Sequence, residues 1–321
     1  MNFNPVNQKI SIVIPVYNGG QSIGKLVDEL ILQLSPLYTI EIVLVNDCSK
    51  DNSEEICIGL TKKYTRQVSF YSLAINSGEH NAVMAGLNNA TGDFAVIMDD
   101  DFQNPVSEVA KLISYMVNND YDVVYTFYAN KKHSLFRNIG SRFNDRVANL
   151  MLKKPWNLYL SSFKIINRFL INEIIKYNLP FTYIDGLILR TTSNIGKLEV
   201  AHDARKIGKS NYNIVKLISL WLNMFTNFSV LPLRMATIMG FIFSTFGFAI
   251  GIYAFIERIY NPNLPRGYTS LIVVISVFSG IQLIAVGMVG EYLGRVFMGQ
   301  NKKPQYTIRK SFKGGVPDGE K

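Results

Sequence analysis

Two stretches in the second half of the chain set limits on what it can fold into. Residues 235–256, "MATIMGFIFSTFGFAIGIYAFI", run for about 22 positions without a charge, and residues 271–290, "LIVVISVFSGIQLIAVGMVG", for about 20. A helix of about 20 apolar residues crosses the hydrocarbon core of a bilayer. A two-helix transmembrane hairpin is therefore expected. The competing reading is a hairpin buried in a soluble core, but uncharged runs of this length are rare in soluble helices. The linking stretch "ERIYNPNLPRGYTS" carries two prolines and cannot itself span.

Charge around the two runs orients them. The linker holds Arg258 and Arg266, whereas Lys206, Lys209, Lys216 and Arg234 precede the first run and Arg295, Lys302, Lys303, Arg309 and Lys310 follow the second. Excess positive charge stays on the cytoplasmic side. The expectation is a multi-pass plasma-membrane protein with its N-terminal domain in the cytoplasm. The first residues, "MNFNPVNQK", have no apolar core, so no signal peptide is expected. Cys48 and Cys57 show neither metal spacing nor a disulfide framework, which suits a reducing compartment. The net charge of +9 falls largely beside the predicted spans. Anionic lipid explains it better than nucleic acid, and no nucleic-acid partner is expected.

The expected organisation is an N-terminal domain over 1–212, an interfacial helix over 213–230, two transmembrane helices within 231–295, and a basic cytoplasmic tail over 296–321. In "NIVKLISLWLNMFTNFSV", residues 213–230, Lys216, Ser219, Asn223 and Asn227 form a narrow polar stripe on an otherwise apolar helix. That pattern fits a helix lying flat in the membrane interface. The alternative is a core helix packed on the N-terminal domain. The end of the tail, "KGGVPDGEK", reads as disordered.

The first two hundred residues alternate strand and helix. "ISIVIPVY" (10–17), "IEIVLVND" (40–47), "VSFYSL" (68–73), 94–98 and "YDVVYTF" (121–127) read as strands. Ile23, Leu26, Val27, Leu30, Ile31 and Leu34 recur with helical period, and 78–90 reads as another helix. Asp51 with Glu54 fits a capping box, and Asn104 before Pro105 fits a cap and first helical residue. This alternation predicts an α/β domain with an open, mostly parallel, Rossmann-like sheet. Ligands collect at the carboxyl ends of such strands. The polar clusters at 15–18, 47–49, 76–80 and 99–103 fall at those ends. No Gly-x-Gly-x-x-Gly and no Walker A loop is present, which argues against dinucleotide oxidoreductases and P-loop phosphotransferases.

The stretch "FAVIMDDDFQNP" ends an apolar run in three consecutive aspartates. Side chains alternate along an extended segment, so Asp99 and Asp101 can point one way and Asp100 another. Two converging carboxylates with the Gln103 amide oxygen nearby make an all-oxygen site for Mg²⁺ or Mn²⁺. Such an ion leaves positions for phosphate oxygens, so a diphosphate is the natural ligand. Asp47, ending another strand, could accept hydrogen bonds from a base or ribose. The competing reading of the aspartates is a capping turn before Pro105, for which a single Asp would suffice.

"SIVIPVYN", "VNDCSKDNS", "NSGEHNAVMAGLNNATGD" and "DDDFQNP" resemble, in order, the motifs of family 2 glycosyltransferases with the GT-A fold. The polyprenyl-phosphate branch is the most similar, and "GEYLGR" (290–295) resembles its bacterial members. The resemblance implies transfer from a nucleotide sugar to a polyprenyl phosphate such as undecaprenyl phosphate, with UDP as the expected nucleotide. It implies that Pro15, Tyr17 and Asp47 hold base and ribose, and that Asp99, Asp101 and Gln103 bind the metal and the donor diphosphate. Arg137 and Arg205 would bind phosphate on donor or acceptor, with Lys209, Ser210 and Tyr212 beside them. Among these, Asp99, Asp101 and Arg205 are the expected catalytic set. Homo-oligomers are common among similar proteins, and oligomeric state is left open.

The chain departs from the family pattern in two places. The family's Ser-Lys-Tyr is here Ser210, Asn211, Tyr212, so Lys209 or Lys206 would have to replace the missing lysine. The stretch where relatives carry an acid is "WNLYLSSFKII", with Leu158, Tyr159, Ser161 and Ser162 and no carboxylate. A phosphate monoester acceptor, with a second pKa of about 6, is already largely a dianion near neutral pH and needs no general base. One rival reading is a processive polysaccharide synthase, but neither Trp156 nor Trp221 follows an arginine as that group's Gln-x-x-Arg-Trp motif requires. The other is a catalytically silent membrane scaffold, against which the intact Asp99, Asp101 and Gln103 set argues.

Overall fold

The computed structural model describes residues 8–128, 155, 158–180, 182–201, 231–260, 267–301 and 304–318. The chain forms two compact units, Met1–Asn213 together with Pro304–Lys321, and Ile214–Lys303.

In the first unit the order is β1 (Lys9–Val16), α1 (Ile23–Leu34), β2 (Thr39–Asn46), α2 (Ser53–Lys63), β3 (Val68–Leu73), α3 (Glu79–Asn89), β4 (Phe94–Ile97), α4 (Val106–Asn118) and β5 (Val123–Phe127). Then come β6 (Lys164–Asn167), α5 (Arg168–Ile174), α6 (Ile184–Thr191), β7 (Ile195–Glu199), β8 (Ile308–Lys313) and β9 (Val316–Pro317). The strands form one sheet in the order β7-β5-β6-β4-β1-β2-β3-β8-β9. Pairs β1–β2, β2–β3, β1–β4 and β5–β7 are parallel, and β6 runs antiparallel between β4 and β5. The result is the mostly parallel, Rossmann-like α/β sheet that was expected, and all five anticipated strands form.

Strand β1 shows why the sheet sits at the centre. Ile10, Ile12, Val13, Ile14 and Val16 are all fully buried, so both faces are covered, as parallel strands require. On α1, Ile23, Leu26, Val27, Leu30 and Leu34 are buried at helical spacing, and α4 buries Val106, Val109, Leu112, Ile113 and Met116 in the same way.

At the amino end of the sheet Glu41 ties three segments together. Its carboxylate accepts from Ser11 Oγ (2.6 Å), Thr91 Oγ1 (2.6 Å), Thr91 N (2.5 Å) and Gly92 N (3.2 Å), and pairs with Lys9 Nζ (2.6 Å). Burial acts to raise its pKa, but these hydrogen bonds outweigh it and bring the carboxyl down to about 2. A carboxyl depressed in the folded state stabilises fully above its unfolded pKa, and that stability is lost as pH falls through the folded value. Glu41→Gln is expected to cost about 2 kcal/mol near neutral pH. The deficit relative to wild type should shrink between about pH 4.5 and 2, which thermal unfolding across that range checks.

The C-terminal segment corrects one expectation. "KGGVPDGEK" begins in ordered structure rather than disorder. β8 pairs antiparallel with β3, from Ser69 opposite Lys313 to Ser72 opposite Lys310, and Phe312 lies 6.2 Å from Phe70, ring to ring. Gly314 (φ 61°) and Gly315 (φ 79°) join β8 to β9 by a two-residue turn with both φ positive, a geometry that favours glycine at each position. The physical reason is edge protection, since β3 would otherwise present an unpaired strand edge.

Two capping expectations also change. Asp51 Oδ1 accepts from Ser53 N (3.1 Å), but Glu54 turns away from the helix start toward Ser72 and Lys310, so no capping box closes. Asn104 does not cap α4. Its Oδ1 accepts from the Tyr128 hydroxyl at 3.0 Å, and the helix starts at Val106 after Pro105.

The second unit contains α7 (Leu231–Tyr260) and α8 (Tyr268–Gln300), both longer than the uncharged runs within them. Ala236–Tyr253 and Val277–Gln300 are long and apolar enough to cross a membrane, and no part of either stretch is buried in protein. Phe241 (76% exposed) and Leu283 (72%) show the consequence. Gly247 receives the ring of Phe278, where a Cβ would come within 2.7 Å of the ring, and Phe243 meets the same ring edge-on at 6.5 Å. The expected interfacial helix over 213–230 lies outside the described residues.

Candidate active site

From β1 the chain winds through β2 and β3 on one side, then crosses to β4 on the other. The switch point therefore lies between the carboxyl ends of β1 and β4, where α/β sheets bind ligands. Backbone conformation is unusual at these ends. Among the described residues, the non-glycine positions with positive φ are Asn18 (56°), Cys48 (57°) and Phe102 (59°), following β1, β2 and β4, and Gly78 (88°) follows β3. Such conformations persist only where surrounding bonds fix them. Asn18 N donates to Ser49 Oγ (2.9 Å), Lys50 N to Asn18 Oδ1 (2.9 Å), and Ser49 N to Asn46 Oδ1 (3.1 Å), stitching the first two loops together.

The three aspartates follow the end of β4 at Ile97, and each has a different neighbour. Asp100 turns toward Gly19, where a Cβ would sit 1.8 Å from Asp100 Oδ2, so only glycine fits opposite it. Asp99 Oδ2 accepts from Ser162 Oγ at 2.7 Å. Asp101 is 8% exposed, and its Oδ1 accepts from Gln103 N at 3.1 Å. The stretch that lacks the relatives' acid thus supplies a hydroxyl to Asp99.

Glu79, at the start of α3, reports the charge collected at this rim. Part of it remains open to solvent, but loss of water on its inner side and then the charge of Asp99 push its carboxyl up to about 7. Lys164 opposes that shift, while Asp185 and Asp101 add to it. Negative charge in such excess suits a cation. Among the described residues no three His, Cys, Asp or Glu side chains form a metal-holding group. The expected set of Asp99, Asp101 and Gln103 has two carboxylates and an amide. It fits an ion whose remaining ligands come from a bound diphosphate and water.

Asp47 is only 3% exposed and anchors the loop before α3. Its Oδ1 accepts from Ser77 N (2.6 Å) and its Oδ2 from Gly78 N (2.9 Å), while its backbone carbonyl accepts from Asn76 Nδ2 (3.2 Å). Burial raises its pKa, and the two amides only partly offset that. Tyr17 lies 38% exposed beyond β1, and Pro15 is half-buried opposite Val45. Of the other expected site residues, Arg137, Arg205, Lys209, Ser210 and Tyr212 lie outside the described residues.

The structure adds a buried polar group that the motifs do not mark. Lys164 on β6 stands opposite Ile97 of β4 and Tyr125 of β5 and forms an ion pair with Asp185 at the start of α6. The Tyr125 hydroxyl donates to Asp185 Oδ1 (2.8 Å), and Lys164 Nζ lies 5.1 Å from the centre of that ring. His80 meets Tyr183 edge-on at 5.0 Å, and burial brings it down to about 4, so it is neutral at pH 7. The available signal was a charge inside each of two apolar runs, "FKII" and "YIDGLIL", because buried charges are rare unless paired.

A family model described as Glycosyl transferase family 2 matches residues 11–190. The undecaprenyl-phosphate 4-deoxy-4-formamido-L-arabinose transferase of Yersinia pestis (strain Pestoides F) is 31% identical over 313 residues, covering 97% of this chain and 95% of its own. The transferase of that name from Photorhabdus laumondii is 30% identical over 315 residues, 97% of this chain and 96% of its own. Among solved structures, glucosyl-3-phosphoglycerate synthase of Mycobacterium tuberculosis has a similar fold, with a TM-score of 0.51 and 16% identity over 68% of this chain and 81% of that one. The same enzyme in complex with Mn²⁺ and UDP-glucose gives a TM-score of 0.50 at 16% identity, over 67% and 75%.

Proposed function

Because this chain belongs to glycosyl transferase family 2, we propose that it moves a sugar from a nucleotide-sugar donor to undecaprenyl phosphate at the cytoplasmic face of the plasma membrane. The observation that carries the reading is the pair Asp99 and Asp101 just after β4, beside the switch point. The acceptor follows from the relatives, whose name specifies undecaprenyl phosphate and whose similarity runs through both apolar helices. A donor carrying UDP is supported by the solved neighbour that binds UDP-glucose with Mn²⁺.

Asp99 and Asp101, with the Gln103 amide, would hold Mg²⁺ or Mn²⁺. When bound, such an ion offsets charge on the diphosphate as it departs. The chain's own groups do the rest. Tyr17 and Pro15 would hold the base and ribose with Asp47, which also fixes the loop at Ser77 and Gly78. Arg137, Arg205, Lys209, Ser210 and Tyr212 would bind the phosphates. One oxygen of the lipid phosphate attacks the anomeric carbon and a new carbon–oxygen bond forms. The bond to the nucleoside diphosphate breaks, and the leaving group takes the electron pair. The nucleophile carries no proton at neutral pH, so position and a stabilised leaving group suffice. Attack opposite the leaving group inverts the anomeric centre.

The membrane helices fit this chemistry, since an isoprenoid acceptor cannot leave the bilayer while the donor is soluble. The test is incubation of membranes containing the protein with undecaprenyl phosphate and a panel of nucleotide sugars, followed by mass spectrometry of the lipid. A glycosyl phosphate lipid with inverted configuration is expected. No lipid product from any donor, or retention of configuration, overturns the reading.

A further inference from the structure

The C-terminal strand does more than cover a sheet edge. Lys310 on β8 reaches across β3 and donates from Nζ to Glu54 Oε1 at 2.6 Å. The other oxygen of Glu54 accepts from Ser72 Oγ (2.8 Å) and Asn46 Nδ2 (3.4 Å), and Asn46 Nδ2 also donates to Ser72 Oγ (3.2 Å). Asn46 and Ser72 are 1% and 2% exposed, so their orientations are fixed by these bonds rather than by water. Asn46 is the last residue of β2, and its Oδ1 holds the Ser49 amide. Ser49 in turn holds Asn18 through its hydroxyl. Four polar links thus run from the tail to the loops that carry Tyr17 and Asp47, ending at Asn18, which is held at positive φ.

The pair itself is partly exposed, with side chains 49% and 31% accessible for Lys310 and Glu54. An ion pair that exposed adds little stability. Its effect lies in direction. Burial acts to raise the Glu54 carboxyl, but the bonds from Lys310 and Ser72 and the charges of Lys310 and Arg309 outweigh it and keep the group ionised. An ionised Glu54 accepts on both oxygens, which leaves Asn46 only one amide orientation, with Nδ2 toward Glu54 and Oδ1 toward Ser49.

We propose that Glu54 and Lys310 are positioning residues for the donor nucleotide. The docked C-terminal strand sets the Asn46 amide and, through Ser49 and Asn18, the shape of the nucleotide-binding loops. The functional clause rests on the glycosyl-transfer reading, whereas the coupling of tail to loops does not.

The test uses the full-length protein in detergent or nanodiscs, as wild type, Lys310→Met, Lys310→Arg and Glu54→Gln. Hydrogen exchange at the Asn18, Ser49 and Lys50 amides should rise about tenfold in Lys310→Met and Glu54→Gln, with β1 and β4 core amides unchanged, and Lys310→Arg should restore protection. With the donor identified by the panel assay, the same two variants should raise its KM about fivefold, leaving kcat and the lipid acceptor KM near wild type. Unchanged loop exchange overturns the coupling. So does exchange that rises equally in the core, because the tail would then merely stabilise the sheet. Faster loop exchange with an unchanged donor KM overturns the positioning role. If wild type transfers no sugar from any donor, the function reading fails, and the exchange result still decides the coupling.

Discussion

Asp101→Ala is expected to lower sugar transfer about a thousandfold, the loss seen when a group that stabilises departing charge is removed. The residue has two jobs in the structure. It contributes negative charge at the rim, and its Oδ1 accepts from the Gln103 backbone amide. Asp101→Asn separates them, because an amide oxygen can still accept from Gln103 N while the negative charge is gone. Both variants should be nearly inactive at saturating donor, with unfolding temperatures close to wild type for Asp101→Asn. Asp100→Asn is the comparison. Its side chain packs against Gly19 rather than facing the proposed ion, so a smaller loss, of about tenfold, is expected there. Steady-state transfer to undecaprenyl phosphate, measured for all three, distinguishes the jobs. Equal activity in Asp101→Asn and wild type would remove the carboxylate from the chemistry.

The second large effect is on stability. Lys164→Met leaves Asp185 buried (7% exposed) without its cation, while the Tyr125 hydroxyl still donates to the oxygen that paired with Lys164. Removing one member of a buried ion pair costs about 3–5 kcal/mol, because the other charge stays in a poorly solvating interior. For a domain of this size that corresponds to an unfolding temperature lower by about 10 °C. Replacing both members, Lys164→Met with Asp185→Leu, should recover at least half of the loss, since an apolar pair of similar volume needs no counter-charge. Thermal unfolding of the single and double variants in the same detergent measures this. A double variant no more stable than Lys164→Met would mean that the pair fastens α6 to the sheet by geometry alone.

Residue chemistry made much of this fold legible. β1, β2 and β3 are runs of β-branched and aromatic residues that can only be central strands, and the heptad-like spacing from Ile23 to Leu34 can only be a half-buried helix. The place of the three aspartates at the carboxyl end of a central strand was legible too, because an apolar run leads straight into them. β6 was not. Its partners β4 and β5 precede it by tens of residues, and antiparallel insertion into a parallel sheet leaves no local pattern. The tail departs from its sequence pattern for a different reason. Gly314 and Gly315 look like a loose linker until β3 is known to need a partner, whereupon the same two residues form a tight turn. Capping failed at Glu54 and Asn104 because each found a tertiary partner, Lys310 or Tyr128, that no short-range rule contains. Lys164 and Asp185 lie twenty-one positions apart, and only the sheet brings them together.

Carboxylates just after β4 are expected to hold a donor diphosphate through a divalent cation. Binding of Mn²⁺ to the purified full-length protein, followed by electron paramagnetic resonance with and without UDP or GDP, tests it without requiring the sugar or the lipid. Wild type should bind the ion markedly more tightly when a nucleoside diphosphate is present, and Asp99→Asn with Asp101→Asn should abolish that enhancement. Enhancement that survives the double substitution, or its absence in wild type with both nucleotides, would contradict the claim.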